Sequence, residues 1–229
     1  MTRKEVARFL LLHSMGNFFV LFGLYGVAMT FGPAIYQEVL FRIDQATGVK
    51  YVVASVTKNP SETNNSSGGF GNMFVTDQQR VLFPINTDFS VIIPKIGADA
   101  VVVPNVDPSN EDDYLKALKI GIAHAKGSVF PGIVGTTYLF AHSTDNFWDV
   151  GRYNAIFYLL KDLSVGDSIV VYFGGKRYDY AVDSSTIVDP NDVSLLVNAQ
   201  KTQEQLVLQT CWPPGTTYKR LLVVAKRTN

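Results

Sequence analysis

The feature that most constrains this chain is a long stretch near its N-terminus that carries no charged side chain. Residues 9–37 contain no Asp, Glu, Lys or Arg. A helix of about 20 apolar residues crosses the hydrocarbon core of a bilayer, so this stretch is long enough to span it. A cleaved signal peptide usually has an apolar region of only about 7–15 residues. The sequence therefore predicts an uncleaved transmembrane helix.

Charged residues on the two sides of this stretch predict its orientation. Arg3, Lys4 and Arg8 precede it, whereas Glu38 follows it. Basic residues accumulate on the cytoplasmic side of membrane helices. We expect a single-pass protein of the cytoplasmic membrane, with its N-terminus inside and the bulk of the chain in the extracellular space.

Composition divides the chain into three parts. Residues 1–40 are predicted to hold a cytoplasmic tip, the transmembrane helix and a juxtamembrane helix, and helical spacing continues over 34–47. Residues 41–80 are predicted to form a linker or flap, because 58–72 are rich in Asn, Ser, Gly and Pro. Residues 81–229 are predicted to form the folded domain.

The overall charge excludes one class of partner. The formal net charge is zero, and the sequence has no long basic run. Binding to a nucleic acid depends mainly on clustered Lys and Arg that neutralise phosphates. We therefore expect no nucleic acid among the partners.

Short β-branched runs separated by turn residues dominate the folded part and predict strands. A helix is expected over 109–125, with Ser109 as its N-cap and His124 near its end, and shorter helices near 153–162 and 192–196. Seven or eight short strands with few helices favour a mixed or antiparallel β-barrel. The predicted strands are 89–96, 98–106, 136–141, 167–173, 176–182, 205–210 and 220–226.

Cys211 is the only cysteine of the chain, which excludes an intramolecular disulfide and a cysteine-based zinc cluster. It ends an apolar strand and is followed by Trp-Pro-Pro-Gly. Because proline cannot donate to a central ladder, the strand must stop there. A lone cysteine is either a small buried hydrophobe or a reactive thiol, and a position at the rim of a sheet favours the second.

Two other side chains could act together with this thiol. Arg220 begins the next strand, nine residues later, and could stabilise a thiolate or an oxyanion. His142 follows the strand 136–141 and could carry a proton. Spacing alone also permits a solvated arginine and a structural histidine. His124 could be a packing group, and we assign no function to His13 in the membrane segment.

Taken together, these residues resemble the sortase family. The run VLQTC at 207–211 matches the family signature TLxTC, apart from Val207 in place of threonine. The run RLLVVAK, which opens with Arg220, matches the arginine-containing final strand. The run AHS at 141–143 matches the motif around the catalytic histidine, with Ala141 in place of the commoner glycine.

The resemblance spans roughly residues 85–227 and keeps the family order of His, Cys and Arg. Papain-like enzymes place the cysteine before the histidine and fit worse. The motif around the cysteine of cell-wall L,D-transpeptidases is absent. The prolines after Cys211 look less like the class A sortases than like other classes.

The resemblance implies an eight-stranded sortase-like β-barrel with short helices and the activity of a cysteine transpeptidase. Cys211 would attack the peptide bond after threonine in an LPxTG-like sorting signal and form a thioacyl-enzyme. An amine from a cell-wall peptide or a pilin lysine would resolve this intermediate. His142 would protonate the leaving amine and deprotonate the incoming one. Arg220 would hold the substrate backbone or the oxyanion, and Thr210 is expected to belong to the substrate-binding part.

The resemblance also implies the partners, which are proteins with C-terminal sorting signals, an amine acceptor and the membrane. No cofactor or metal is expected. Some sortases bind calcium near the loop that corresponds to 183–204, but Asp189, Asp192 and Glu204 are expected to be solvated here. Two alternatives stay open, namely an inactive membrane-tethered binding barrel and a purely hydrolytic thiol protease.

Overall fold

The computed structural model describes residues 3–54, 79–143, 157–201 and 203–228. The predicted linker at 58–72 lies outside these residues. The strands are β1 Lys50–Val53, β2 Gln79–Leu82, β3 Phe89–Ile93, β4 Ala98–Val106, β5 Ile122–Ala125, β6 Thr136–Phe140, β7 Ser168–Phe173, β8 Lys176–Val188, β9 Gln205–Trp212 and β10 Lys219–Arg227. The α-helices are α1 Arg3–Thr47, α2 Glu111–Ile120 and α3 Ser194–Val197, and 3-10 turns cover Pro94–Ile96, Tyr158–Asp162 and Ala199–Lys201.

Helix α1 is one continuous element of 45 residues. It is about 67 Å long at about 1.5 Å per residue, roughly twice the thickness of the hydrocarbon core. Its segment Arg3–Met29 is long and apolar enough to cross a membrane, and none of it is buried against the protein. The helix also extends past residue 40 into the range predicted as a linker and ends next to Gly48, which has a positive φ of 71°.

Eight strands close into a barrel in the order β10-β8-β7-β3-β4-β5-β6-β9. Neighbouring strands are antiparallel except for the parallel pairs β4–β5 and β6–β9. The barrel is therefore mixed, and the predicted eight-stranded barrel is confirmed. The C-terminal ends of β3, β6 and β9 lie at one end of the barrel, as the strand directions require.

Side chains alternate between the two faces of the barrel wall, as the pleat of a strand requires. In β9, Leu206 and Leu208 join the central core. Val207 belongs instead to a second cluster with Tyr138 and Leu222, against which side chains of α3 pack. The outer face of β6, β9 and β10 is thus partly covered by α3.

The strands β1 and β2 pair in parallel and form a separate two-stranded sheet. Val53 and Leu82 of this sheet pack against Ile92, Val170 and Tyr172 on the outside of β3 and β7. In the closed strand order, β3 and β7 stand opposite β9 and β6. The segment that follows α1 therefore packs on the wall across from the outer face covered by α3.

The segment around α2 differs from the sequence prediction. The N-cap is Asn110, whose side chain accepts a hydrogen bond from the backbone N–H of Asp113, so the assignment of Ser109 was wrong. The helix ends at Ile120, and the next residues form β5, so His124 lies in a strand and not at a helix end. Pairing of β5 between β4 and β6 overrides the local helical spacing.

Candidate active site

The predicted site residues lie on neighbouring strands at one end of the barrel. Strands β6 and β9 are parallel, and Phe140 is the register partner of Gln209. Continuing this register by two residues brings His142 level with Cys211. Parallel pairing thus brings together two residues that lie far apart in the sequence.

Two hydrogen bonds hold the residues on either side of His142. The hydroxyl of Thr210 donates to the carbonyl oxygen of Ala141 at 3.1 Å. The backbone N–H of Gly215 donates to the hydroxyl oxygen of Ser143 at 3.3 Å. Both donors belong to the segment that carries Cys211, so this segment fixes the position of the chain around His142.

Arg220 lies directly across from Cys211, because the two are register partners in the antiparallel pair β9–β10. Its Nη1 donates to the carbonyl oxygens of Thr217 at 3.0 Å and Lys219 at 3.1 Å. The guanidinium is therefore anchored to the loop that connects the two strands. The structure brings Cys211, His142 and Arg220 to the same end of the barrel.

Thr210 has different surroundings from those that a substrate contact requires. Its side chain is only 3% exposed. Because neighbouring residues of a strand point to opposite faces, Thr210 and Cys211 lie on opposite faces of the barrel wall. Its hydroxyl is bonded to Ala141 and not directed toward solvent. The contact that the structure gives Thr210 is with the segment of His142.

A partly buried polar pair lies beside the cysteine on the outer face. The hydroxyl of Tyr138 donates to Oε1 of Gln209 at 2.5 Å, and Gln209 precedes Cys211 by two positions on β9. Burial, with a smaller effect of the Asp192 charge, raises the pKa of Tyr138, and the charge of Arg220 opposes this. The phenol therefore stays neutral and serves as a donor. Sequence analysis missed this pair, although the alternation along β9 already places Gln209 on the face of Cys211.

Tyr114 on α2 packs against the barrel core, and the sequence assigned no function to it. Burial raises the pKa of its hydroxyl most, and the charges of Glu111 and Cys211 raise it further, whereas Arg220 lowers it. Helix α2 packs against β4 and β5, and it ends just before β5 begins at the same end of the barrel.

His124 is a packing group, as one of the sequence interpretations proposed. Its side chain is fully buried, and its ring stacks on Phe130 with centroids 4.5 Å apart. Nδ1 accepts from the backbone N–H of Asn105 at 3.3 Å, which leaves Nε2 to donate to the carbonyl oxygen of Val129 at 3.1 Å. Burial lowers the pKa of His124, and the bond to Val129 opposes this. The ring is therefore a neutral structural element.

The acidic residues of the β8–β9 connection have other partners. Asp189 pairs with Lys219 at 2.5 Å, and Glu204 pairs with Arg227. Asp192 accepts from the backbone N–H of Ser194 at 3.1 Å. Within the part of the chain that the structure describes, no group of three or more His, Cys, Asp or Glu side chains could hold a metal ion.

Comparison with known proteins identifies the family of the chain. The family model for the sortase domain matches residues 91–228, which is more than half of the chain. The chain belongs to the sortase family. It is 30% identical over 138 residues to sortase D of Bacillus subtilis, and the match covers 59% of this chain and 61% of that relative. The chain thus matches less than two thirds of the length of this relative.

Solved structures support the same fold. This sortase is similar to sortase C-1 from Actinomyces oris, with a TM-score of 0.51, 24% identity, and coverage of 63% of this chain and 76% of that chain. It is also similar to sortase C1 of GBS pilus island 1, with a TM-score of 0.51, 27% identity, and coverage of 62% and 64%. The sortase fold, a mainly β closed barrel with short helices, is shown by both similarities.

Proposed function

We propose that this sortase is a membrane-anchored cysteine transpeptidase in which Cys211 is the nucleophile. The observation that carries the proposal is the placement of His142 and Arg220 around Cys211. The parallel β6–β9 register brings His142 level with the thiol, and the antiparallel β9–β10 register places Arg220 across from it. A thiol, a proton carrier and a fixed cation are the groups that amide exchange through a thioester requires.

In the first half-reaction, the thiolate of Cys211 attacks the carbonyl carbon of the scissile peptide bond. The C–N bond breaks, His142 gives a proton to the leaving amine, and a thioester remains on the sulfur. In the second half-reaction, an incoming amine loses a proton to His142 and attacks the thioester. A new amide forms and the thiolate leaves.

The other residues assist this exchange without forming covalent bonds. Arg220 donates hydrogen bonds to the oxyanion or to the substrate backbone, in keeping with its anchorage to the β9–β10 loop. Thr210 positions the segment of His142 through Ala141. The extended peptide binds on the outer face of the barrel, where Cys211 is partly exposed.

The proposed donor is a C-terminal LPxTG-like sorting signal that is cleaved after threonine. The proposed acceptor is an amine of a cell-wall peptide or a pilin lysine. Helix α1 would anchor the protein in the cytoplasmic membrane with the N-terminus inside. The barrel would then lie outside the cell with donor and acceptor.

A peptide screen with product masses tests this function. The full chain in detergent is mixed with LPxTG-like peptides, with and without triglycine or a lysine-containing peptide. We expect cleavage after threonine and a joined product when an amine is present, with loss of both in Cys211→Ala and near loss in His142→Ala. Cleavage without any joined product would favour the hydrolytic alternative. Equal activity of Cys211→Ala and wild type would contradict the mechanism.

A further inference from the structure

The part of helix α1 that lies beyond Met29 exposes large apolar side chains on one face. These side chains have exposed fractions between 39% and 62%. We call this surface the juxtamembrane stripe. It consists of Ile35, Tyr36, Val39, Leu40 and Ile43.

Most of the stripe faces away from the barrel, although Leu40 and Ile43 also line a cavity between the helix and the barrel. At about 100° of rotation per residue, its five members cover about 140° of the helix circumference. The other side of the helix is docked to the barrel. Glu38 accepts a hydrogen bond from Lys161 at 3.0 Å, and Asp44 accepts one from Tyr51 at 2.6 Å. These contacts fix the rotation of the helix and leave Ile35, Tyr36 and Val39 pointing outward.

Charged groups near the stripe are paired with one another. Glu38 bridges Lys161 and Arg42, and Lys161 also contacts Asp162 at 2.7 Å. The surroundings of the stripe therefore carry little uncompensated charge. Such a surface can approach a lipid headgroup layer without a large desolvation cost.

The length of the charge-free segment is compatible with contact between the stripe and the lipid headgroups. Residues 9–37 extend about 43 Å at about 1.5 Å per residue, whereas the hydrocarbon core is about 30 Å thick. A tilt of about 40°, at the upper end of the range for membrane helices, accommodates most of the difference. Such a tilt lowers the stripe into the headgroup region of the outer leaflet.

We propose that the juxtamembrane stripe binds the outer surface of the lipid bilayer and holds the tilted helix against it. The proposal rests on the membrane anchoring stated above. Lipid is favoured over a second copy of the chain because Ile35 and Tyr36 belong to the charge-free stretch 9–37. The same helix carries the segment Arg3–Met29, whose apolar window is not buried anywhere in the protein. Tyr36 adds an amphipathic ring of the kind that is enriched at membrane interfaces.

The stripe also determines which end of the barrel faces the membrane. Tyr51, which donates a hydrogen bond to Asp44 of α1, packs its ring against Gly97 beside the end of β3. A Cβ added to Gly97 would lie only about 3.2 Å from the nearest atom of this ring. The C-terminal end of β3 is at the same end of the barrel as Cys211. The lipid contact therefore keeps the end with the site near the bilayer.

Spin-label accessibility tests the proposal with the full chain. Because Cys211 is the only cysteine, Cys211→Ala gives a cysteine-free background for single labels. Labels are placed at Val39 and Ile43 of the stripe and at Phe22 in the membrane segment. Gln45, exposed on the opposite side of the same helix, provides the matched control. The proteins are reconstituted in vesicles of phosphatidylcholine and phosphatidylglycerol.

We expect labels at Val39, Ile43 and Phe22 to collide several-fold more with oxygen than with a water-soluble nickel chelate, and the label at Gln45 to show the reverse. A lipid environment at Phe22 with an aqueous one at Val39 and Ile43 would overturn the stripe proposal and leave the anchor intact. An aqueous environment at Phe22 would overturn the anchor itself. Strong spin–spin broadening at Ile43 would assign the stripe to a second copy of the chain and would also overturn the proposal.

Discussion

At the scale of single residues, one buried hydroxyl helps to hold the segment around His142. Thr210 donates to the carbonyl oxygen of Ala141, the residue that precedes His142. Removing this donor leaves a carbonyl oxygen without its hydrogen bond, which costs about 1–3 kcal/mol in a buried environment. The bond therefore contributes to the placement of the proton carrier.

We expect Thr210→Val to lower kcat about tenfold, which corresponds to about 1.4 kcal/mol, with little change in KM. Thr210→Ser, which keeps the hydroxyl, should retain most of the activity. Thr228→Val is a matched control, because Thr228 donates to the carbonyl oxygen of Asp179 at 3.0 Å at the other end of β10. Equal kcat values for Thr210→Val and Thr228→Val would contradict the positioning role.

A second residue-scale prediction concerns the pH dependence of stability. Burial lowers the pKa of His124 in the folded protein, whereas an unfolded histidine titrates near about 6.5. The unfolded chain therefore binds more protons once the pH falls below that value. The contribution of the neutral His124 ring to the free energy of unfolding is fully present above the pKa of the unfolded state. This contribution is lost as the pH falls toward the lower pKa of the folded state.

This effect is measured as the unfolding midpoint of the detergent-solubilised chain between pH 7.5 and 5. The midpoint of wild type should fall with decreasing pH, and His124→Gln should show a smaller slope, whatever its absolute stability. His142→Gln serves as the control, because it removes a different histidine of the folded domain. If the unfolding midpoint of His124→Gln depends on pH as steeply as that of wild type, the neutral state of the buried ring does not cause the pH dependence.

At the scale of elements, Lys161 joins the end of α1 to the barrel. Its Nζ bonds to Glu38 at 3.0 Å and to Asp162 at 2.7 Å, and it lies over the ring of Tyr158 at 5.3 Å. One side chain thus connects the helix to the 3-10 turn before β7. Each such partly exposed ion pair contributes about 0–1 kcal/mol, so its loss should loosen the contact without unfolding the barrel.

We expect Lys161→Ala to accelerate amide hydrogen exchange several-fold over residues 38–47, with no change in β9. Lys161→Arg should preserve the protection, because it keeps the charge. Lys176→Ala, in the exposed hairpin between β7 and β8, is the control at the other end of the barrel. Unchanged exchange over residues 38–47 in Lys161→Ala would argue against a docking role.

Local patterns predicted most elements well, and the exceptions have physical causes. Seven of the eight strands of the barrel were predicted, because β-branched runs and turn residues mark them within a few positions. The segment with His124 was placed in a helix, since its spacing is helical and its pairing with β4 and β6 is not visible locally. Strand β8 continues to Val188, beyond the predicted end at residue 182, because it pairs with the whole of β10.

At the scale of the whole molecule, the candidate site depends on long-range pairing. Residues 69 positions apart meet between β6 and β9, and no local pattern specifies that register. The order of His142, Cys211 and Arg220 pointed to the family before the pairing was known. Their placement at one end of the barrel, and the contact of Thr210 with Ala141, required the tertiary structure.

The most direct test of the central claim is the mass of the enzyme during reaction with an LPxTG-like peptide in the absence of an amine acceptor. The account predicts an adduct equal to the peptide fragment that ends in threonine, located on Cys211 by fragmentation and removed when triglycine is added. The variant Cys211→Ala should form no adduct. An adduct on another residue, or peptide joining by Cys211→Ala at the rate of wild type, would contradict the assignment of Cys211 as the nucleophile.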